Sequence, residues 1–361
     1  MTDISEILNI PPYSLNKTEK HELLTKTLGD LTQYHNKKCD PYKRILESIG
    51  FNTQNIKSYY DIPFLPVRLF KDMKLVSVKA EDVVKTMTSS GTTGETVSQI
   101  FVDKETAANQ QKTLVKIVSS FLGSKRMPMI ILDTSAILKD RAMFSARGAG
   151  ILGFSIFASD RIYALNDDME LDLVGISEFL EKHKGKKIFL FGFTFMVWQH
   201  FYKELVKNNI TLDLSQGILI HGGGWKKLLE QKVPPLEFKN RLRDICGISE
   251  VYDYYGMVEQ TGSIYMECEY GHLHAPIFSD VIIRNSKNFS SAAIGQKGII
   301  QVVSILPKSY PGHSILTEDE GTIIGEDTCP CGRLGKYFEI SGRIKNAELR
   351  GCSDTYASKF R

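Results

Sequence analysis

The chain has 361 residues, a net charge of +3, 42% hydrophobic residues and 24% charged residues. That length supports two or three structural units around large cores, in an ordinary globular composition. It lacks the basic block that would track nucleic acid and any apolar run near the roughly 20 residues of a membrane helix. The polar, acidic start from Met1 to Glu6 is unlike a signal peptide, so a cytoplasmic location is expected.

Residues 1 to 80 read as helices and connectors. Leu23, Leu24, Leu28 and Leu31 recur at helical spacing within Lys17 to Asn36. Pro63 and Pro66 then break regular structure before Val67-Arg68-Leu69-Phe70. An apolar approach (Val83, Val84, Met87) leads into Thr88-Ser89-Ser90-Gly91-Thr92-Thr93-Gly94, followed by an extended stretch to Val102. The glycines let backbone come close to a ligand, and amides and hydroxyls can face phosphate oxygens. Glu95 follows Gly94, where a Walker-type loop needs Lys then Ser or Thr. Helices are expected at Lys104 to Leu122 and Leu171 to His183. Buried parallel strands are expected at Met129 to Leu132, Ile188 to Phe191 and Gly217 to Ile220. That alternation predicts a layered α/β fold with ligands beyond the carboxyl ends of the strands. Residues 277 to 340 turn strand-rich and predict a small β subdomain. The expected organisation is an N-terminal helical segment packed on the main domain (1–80), an α/β core (81–276), a β-rich subdomain (277–342) and a short tail (343–361).

Four motifs occur in order: Thr88 to Gly94; Tyr255-Gly256-Met257-Val258-Glu259; Thr317-Glu318-Asp319-Glu320-Gly321; and Ser341-Gly342-Arg343-Ile344-Lys345. Together they resemble the phosphate loop, aromatic-Gly-x-x-Glu, Thr-Gly-Asp and Gly-Arg-x-Lys motifs of the adenylate-forming enzymes, with Glu318 replacing a glycine. Further stretches, Pro63 to Lys71, His221-Gly222-Gly223-Gly224-Trp225-Lys226, Cys268 to Pro276 and Leu349 to Ser353, look like the acyl-protein synthetases of LuxE type. The resemblance implies the adenylate-forming N-terminal domain. The lid of about a hundred residues that usually follows would be missing or reduced to the tail, so no lid lysine can be assigned. It also implies ATP-dependent activation of a carboxylic acid, expected to be a fatty acid, and transfer to a cysteine thioester for a partner acyl reductase.

In that frame Thr88 to Gly94 suit the phosphates, and Glu259 would hold Mg²⁺, a hard ion bound by carboxylate oxygen. Asp319 would accept from the ribose hydroxyls, and Arg343 would reach ribose or phosphate. Gly222, Gly223 and Gly224 would offer adenine a flat backbone surface, with Tyr255 and Gly256 beside it. Cys352 is the expected acyl carrier, its thiolate favoured by Arg350, Lys345 and Arg343. His221 would contact substrate or adenine. Phe191, Phe193, Phe195, Trp198 and Trp225 would line an acyl tunnel. Six cysteines in a reducing cytosol argue for metal or catalysis. Cys268, Cys329 and Cys331 with His274 would make a closed structural zinc site, the histidine chosen by similarity to phenylacetate-type ligases. Two other functions fit the residues: an AMP-forming ligase using coenzyme A or another small acceptor, and a non-catalytic nucleotide-binding subunit of a reductase complex.

Overall fold

The computed structural model describes residues 4–89, 97–138 and 144–344. Its chain divides into two compact units, the first built from residues up to Ile117 and from Met257 onward, the second from Val118 to Gly256.

The first unit opens with α1 (Ile4–Ile7), α2 (Lys17–Lys38) and α3 (Asp40–Ser48). Asn16 caps α2 by accepting the Thr18 and Glu19 amides while Glu19 returns a bond to the Asn16 amide, a capping box that starts the helix at the residue expected from its pattern. β1 (Leu65–Pro66), α4 (Leu69–Asp72), β2 (Val83–Thr88) and β3 (Gln99–Asp103) follow, with β2 and β3 antiparallel. α5 (Lys104–Leu122) covers its predicted span residue for residue.

The second unit holds β4 (Met127–Thr134), β5 (Phe144–Ser145), α6 (Ala146–Phe154), β6 (Ala158–Leu165), α7 (Leu173–Lys182) and β7 (Ile188–Phe193). They are followed by α8 (Thr194–Met196), α9 (Lys203–Lys207), β8 (Gly217–Gly222), α10 (Pro235–Cys246) and β9 (Glu250–Tyr255). A π-helical turn, Val197–Tyr202, joins α8 to α9. Strands β9, β8, β7, β4 and β6 lie side by side in that order, all parallel. Every residue of β4, β7 and β8 is buried, which is why these strands read as continuous apolar runs. One face packs Leu132, Leu190, Leu219, Trp198, Phe201, Phe238 and Leu242. Phe189, Phe191 and Phe193 alternate with Leu190 along β7, and Phe154 stacks on Phe191 at 4.2 Å.

The first unit resumes with β10 (Tyr265–Glu267), β11 (Leu273–His274), β12 (Ser279–Arg284), β13 (Lys297–Ser304), β14 (Ser314–Glu326) and β15 (Lys336–Arg343), an antiparallel run in the order β12-β13-β14-β15-β11-β10. β14 pairs with β15 only from Asp319 onward. The edge left open at Ile315 and Leu316 is taken by β1, running parallel. Among the described residues no helix is long and apolar enough to cross a membrane.

Candidate functional site

In the first unit the strand pair β2–β3 carries the ends of the Ser/Thr/Gly segment. The Ser89 amide donates to the Ser98 carbonyl at 3.3 Å, and the Ser98 amide donates to the Ser89 hydroxyl oxygen at 3.0 Å. Thr88 is buried at the end of β2. Ser90, Gly91, Thr92, Thr93 and Gly94 lie outside the described residues, as do Lys345 and Cys352.

Glu259 sits on a short 3-10 turn, Val258–Gln260, and is only 5% exposed. The Gln260 amide nitrogen holds the turn by donating to the Gly312 carbonyl at 2.8 Å and the Val302 carbonyl at 3.2 Å. Burial pushes the Glu259 carboxyl above its usual value, against the nearby Ser98 side chain and the positive charge of Lys71. Ser98 therefore lies between Ser89 and Glu259. Its role was not legible in the sequence, where it follows the motif as one more serine. Asp319 and Arg343 face each other across β14 and β15; the guanidinium lies 3.6 Å from Asp319 and 3.8 Å from Glu318. The two residues expected at the ribose are thus brought together by strand register.

In the second unit the glycine segment leaves the carboxyl end of β8. Gly222 pairs with Tyr254 of β9, and a β-carbon there would lie 2.6 Å from the Tyr254 ring. Gly223 has φ +81°, and a β-carbon on it would meet Phe193 at 2.6 Å. Gly224 also has positive φ, while Tyr255 is half-buried and Gly256 exposed. His221 is buried, with Nδ1 3.0 Å from the Thr194 hydroxyl. That hydroxyl donates its single proton to the Gly222 carbonyl at 3.1 Å, so His221 Nδ1 must carry hydrogen and donate to it. Burial, reinforced by Lys239, lowers His221 to about 3, so the ring is neutral at neutral pH. A feature missed in the sequence is the buried Asp133 at the end of β4, held by Arg147 of α6, whose guanidinium also lies over Phe195 at 5.8 Å. The five aromatic residues expected in one tunnel are spread: Trp198 and Trp225 pack on Phe238, whereas Phe191 and Phe193 belong to the alternate set of β7 positions.

The Cys/His set lies wholly in the first unit. Cys268 and Cys329 each open a tight turn, closed by Gly271 N–H to Cys268 and by Gly332 N–H to Cys329, both glycines at positive φ. β11 presents His274, its ring stacked on Tyr337 at 5.7 Å. One donor atom from each of Cys268, His274, Cys329 and Cys331 lies within 4.8 Å of the others. The Cys268 and Cys329 sulfurs are 3.9 Å apart, close to the roughly 3.8 Å of two thiolates on one tetrahedral zinc, and Cys331 Sγ meets His274 Nε2 at 3.3 Å. Three soft sulfurs and one imidazole are a donor set that fits Zn²⁺.

A family model described as acyl-protein synthetase, LuxE, matches residues 2–361. A long-chain-fatty-acid–luciferin-component ligase of Vibrio harveyi is 22% identical, over 99% of this chain and 94% of its own. A protein of the same description from Aliivibrio fischeri is 25% identical, over 96% of this chain and 91% of its own. Among solved structures, an open conformation of 2-hydroxyisobutyryl-CoA ligase, in complex with 2-HIB-AMP and CoA, superposes with a TM-score of 0.71 at 16% identity, covering 92% of this chain and 77% of that one. The fold is that of the adenylate-forming enzymes.

Proposed function

The chain belongs to the LuxE acyl-protein synthetase family, and from that premise we propose that it activates a carboxylic acid with ATP and carries the acyl group as a thioester on Cys352 for delivery to a partner acyl reductase. The curated relatives are named for long-chain fatty acids, and a fatty acid is the proposed substrate here. The observation that carries the reading is the buried Glu259 carboxyl beside Ser98, which is bonded in turn to Ser89 at the mouth of the phosphate segment.

In the first step a carboxylate oxygen bonds to the α-phosphorus, and the bond to the β-phosphate breaks with pyrophosphate taking the electron pair. Two anions must be held together, so the protein works by positioning and electrostatics. Residues 88 to 94 would hold the phosphates, Glu259 would hold Mg²⁺, and Asp319 with Arg343 would hold the ribose. Mg²⁺, when bound, neutralises charge shared among phosphate oxygens. Gly222 to Gly224 and Tyr255 would receive adenine. The neutral His221 keeps Nε2 as an acceptor. In the second step the Cys352 thiolate attacks the acyl carbon and AMP leaves. Zn²⁺ on Cys268, His274, Cys329 and Cys331 would staple the turns around β11 rather than take part in either step.

Intact-protein mass spectrometry after incubation with ATP, Mg²⁺ and a panel of carboxylic acids tests this. The expected result is an adduct of acyl mass, lost with neutral hydroxylamine and absent in Cys352→Ser. An adduct that survives in Cys352→Ser removes the cysteine assignment. Acid-dependent AMP release only on adding coenzyme A turns the reading to a small-molecule ligase.

A further inference from the structure

Residues 63–71 carry part of the family resemblance, yet the function above gives them no work. The structure gives them a definite place in the first unit. Val67, just after β1, donates its N–H to the Leu316 carbonyl at 2.9 Å, on the strand that runs on into Thr317, Glu318 and Asp319. In α4, Leu69 and Phe70 are buried, and Phe70 lies edge-on to Tyr310 with ring centres 6.3 Å apart. Tyr310 in turn donates to the Glu259 carbonyl at 2.8 Å. The residue after Phe70 is Lys71, exposed, and its charge acts on the Glu259 carboxyl alongside that of Glu318.

The charges on this part of the unit are mostly acidic. Glu259, Glu318 and Asp319 would repel a triphosphate unless cations are spared for it. Arg343 lies 3.6 Å from Asp319 and 3.8 Å from Glu318, and the reading above gives it to the ribose. Arg68 lies 3.7 Å from Asp72. Among the described residues no ion pair engages Lys71. Nor does its side chain contribute to the core, so packing gives no reason for a lysine here.

Resting on the ligase reading above, we propose that Lys71 is a catalytic residue whose ammonium donates hydrogen bonds to the triphosphate of ATP and steadies the pyrophosphate as it leaves. An ammonium is a compact point charge suited to that task. Docking of β1 on β14 sets the segment that ends in Lys71 beside the strand that runs on to Asp319, so this cation comes from the N-terminal segment.

The test uses the full chain and two variants, Lys71→Met and Lys71→Arg. Acid-dependent ATP–pyrophosphate exchange with tetradecanoic acid should fall roughly 100-fold or more in Lys71→Met, with kcat/KM for ATP most affected, and should largely return in Lys71→Arg. Thiol acylation from presynthesised tetradecanoyl-AMP should be untouched, because pyrophosphate has already left. Exchange by Lys71→Met at the wild-type rate overturns the proposal, and so does an equal loss in both assays, which marks general damage. Calorimetric titration with Mg²⁺–ATP alone separates this inference from the ligase reading. If the wild type exchanges with no acid, the ligase reading falls. Lys71→Met binding ATP as tightly as wild type then sinks the lysine assignment on its own.

Discussion

Tyr310 donates its phenolic hydrogen to the main-chain carbonyl of Glu259 at 2.8 Å, with the tyrosine fully buried. Gly312 makes this possible, since a β-carbon there would lie 2.2 Å from the Tyr310 ring. The Glu259 backbone is thus also held from its carbonyl side, so the charge can be removed without releasing the turn. Burial pushes the carboxyl up, which means the ionised form weakens the fold at neutral pH. Glu259→Gln should therefore leave the urea midpoint unchanged or raised while lowering pyrophosphate exchange by roughly 100-fold or more. A variant that loses stability together with activity contradicts the functional assignment of the carboxylate.

Asp280 on β12 accepts from two buried ammonium groups, Lys20 of α2 at 3.2 Å and Lys336 of β15 at 2.7 Å, and from the Tyr59 hydroxyl. Burial opposes ionisation of the aspartate, but the two lysines outweigh it and hold its carboxyl far below the usual range. Asp280→Asn would leave two desolvated cations without their anion. The expected cost is about 3–5 kcal/mol by denaturant unfolding. Adding Lys20→Met should recover part of it, and strict additivity of the two changes would argue against a shared network.

His35 and His313 stack at 5.0 Å inside the first unit. Nε2 of His35 faces the Pro307 carbonyl at 3.0 Å and so carries hydrogen, leaving Nδ1 to accept from Ser77. Thr32 donates to the Leu28 carbonyl, so His313 donates to Thr32 at 2.9 Å. Burial lowers His35 to about 3 and His313 well below its ordinary value. Both folded values lie under the unfolded one, near 6.5, so the unfolded chain binds more protons between them. Stability should then fall as pH drops below about 6.5, by up to roughly 1.4 kcal/mol per pH unit for each ring, with no contribution above it. Urea unfolding at pH 7.5 and 5.5 measures the slope, and His35→Gln should flatten it. An unaltered slope in that variant would rule the pair out as its source.

Purified protein should contain close to one zinc per chain by elemental analysis. Cys331→Ala should lose it and melt at a lower temperature, since such ions hold their loops outright. A metal-free wild type with the same melting temperature would leave Cys268, His274, Cys329 and Cys331 as neighbouring thiols and imidazole only.

How much of this could be read beforehand depended on distance along the chain. α5 was legible end to end because its helical spacing runs unbroken between Lys104 and Leu122, and β4, β7 and β8 because strands buried on both faces are apolar throughout. The Asp319–Arg343 pairing followed from two motifs that the β14–β15 register happens to align. What escaped were partners whose chemistry is ordinary until they meet. Ser98 is one serine among several, Arg147 is one arginine on a helix, and Lys20 lies 260 positions from Asp280. Charged residues usually read as surface, and only packing shows that Lys20, Asp280 and Lys336 are buried together.

The docking of β1 on β14 also sets a timetable for synthesis. Leu65 pairs with Ile315, which the ribosome adds about 250 residues later, a wait of roughly 10 to 50 s at ordinary elongation rates. The second unit is one unbroken stretch, Val118 to Gly256, and can complete its parallel sheet during that wait. The N-terminal helices meanwhile expose apolar faces whose partners do not yet exist. Nascent chains of this protein should therefore bind chaperones through their first hundred residues and let go only after β14 has emerged.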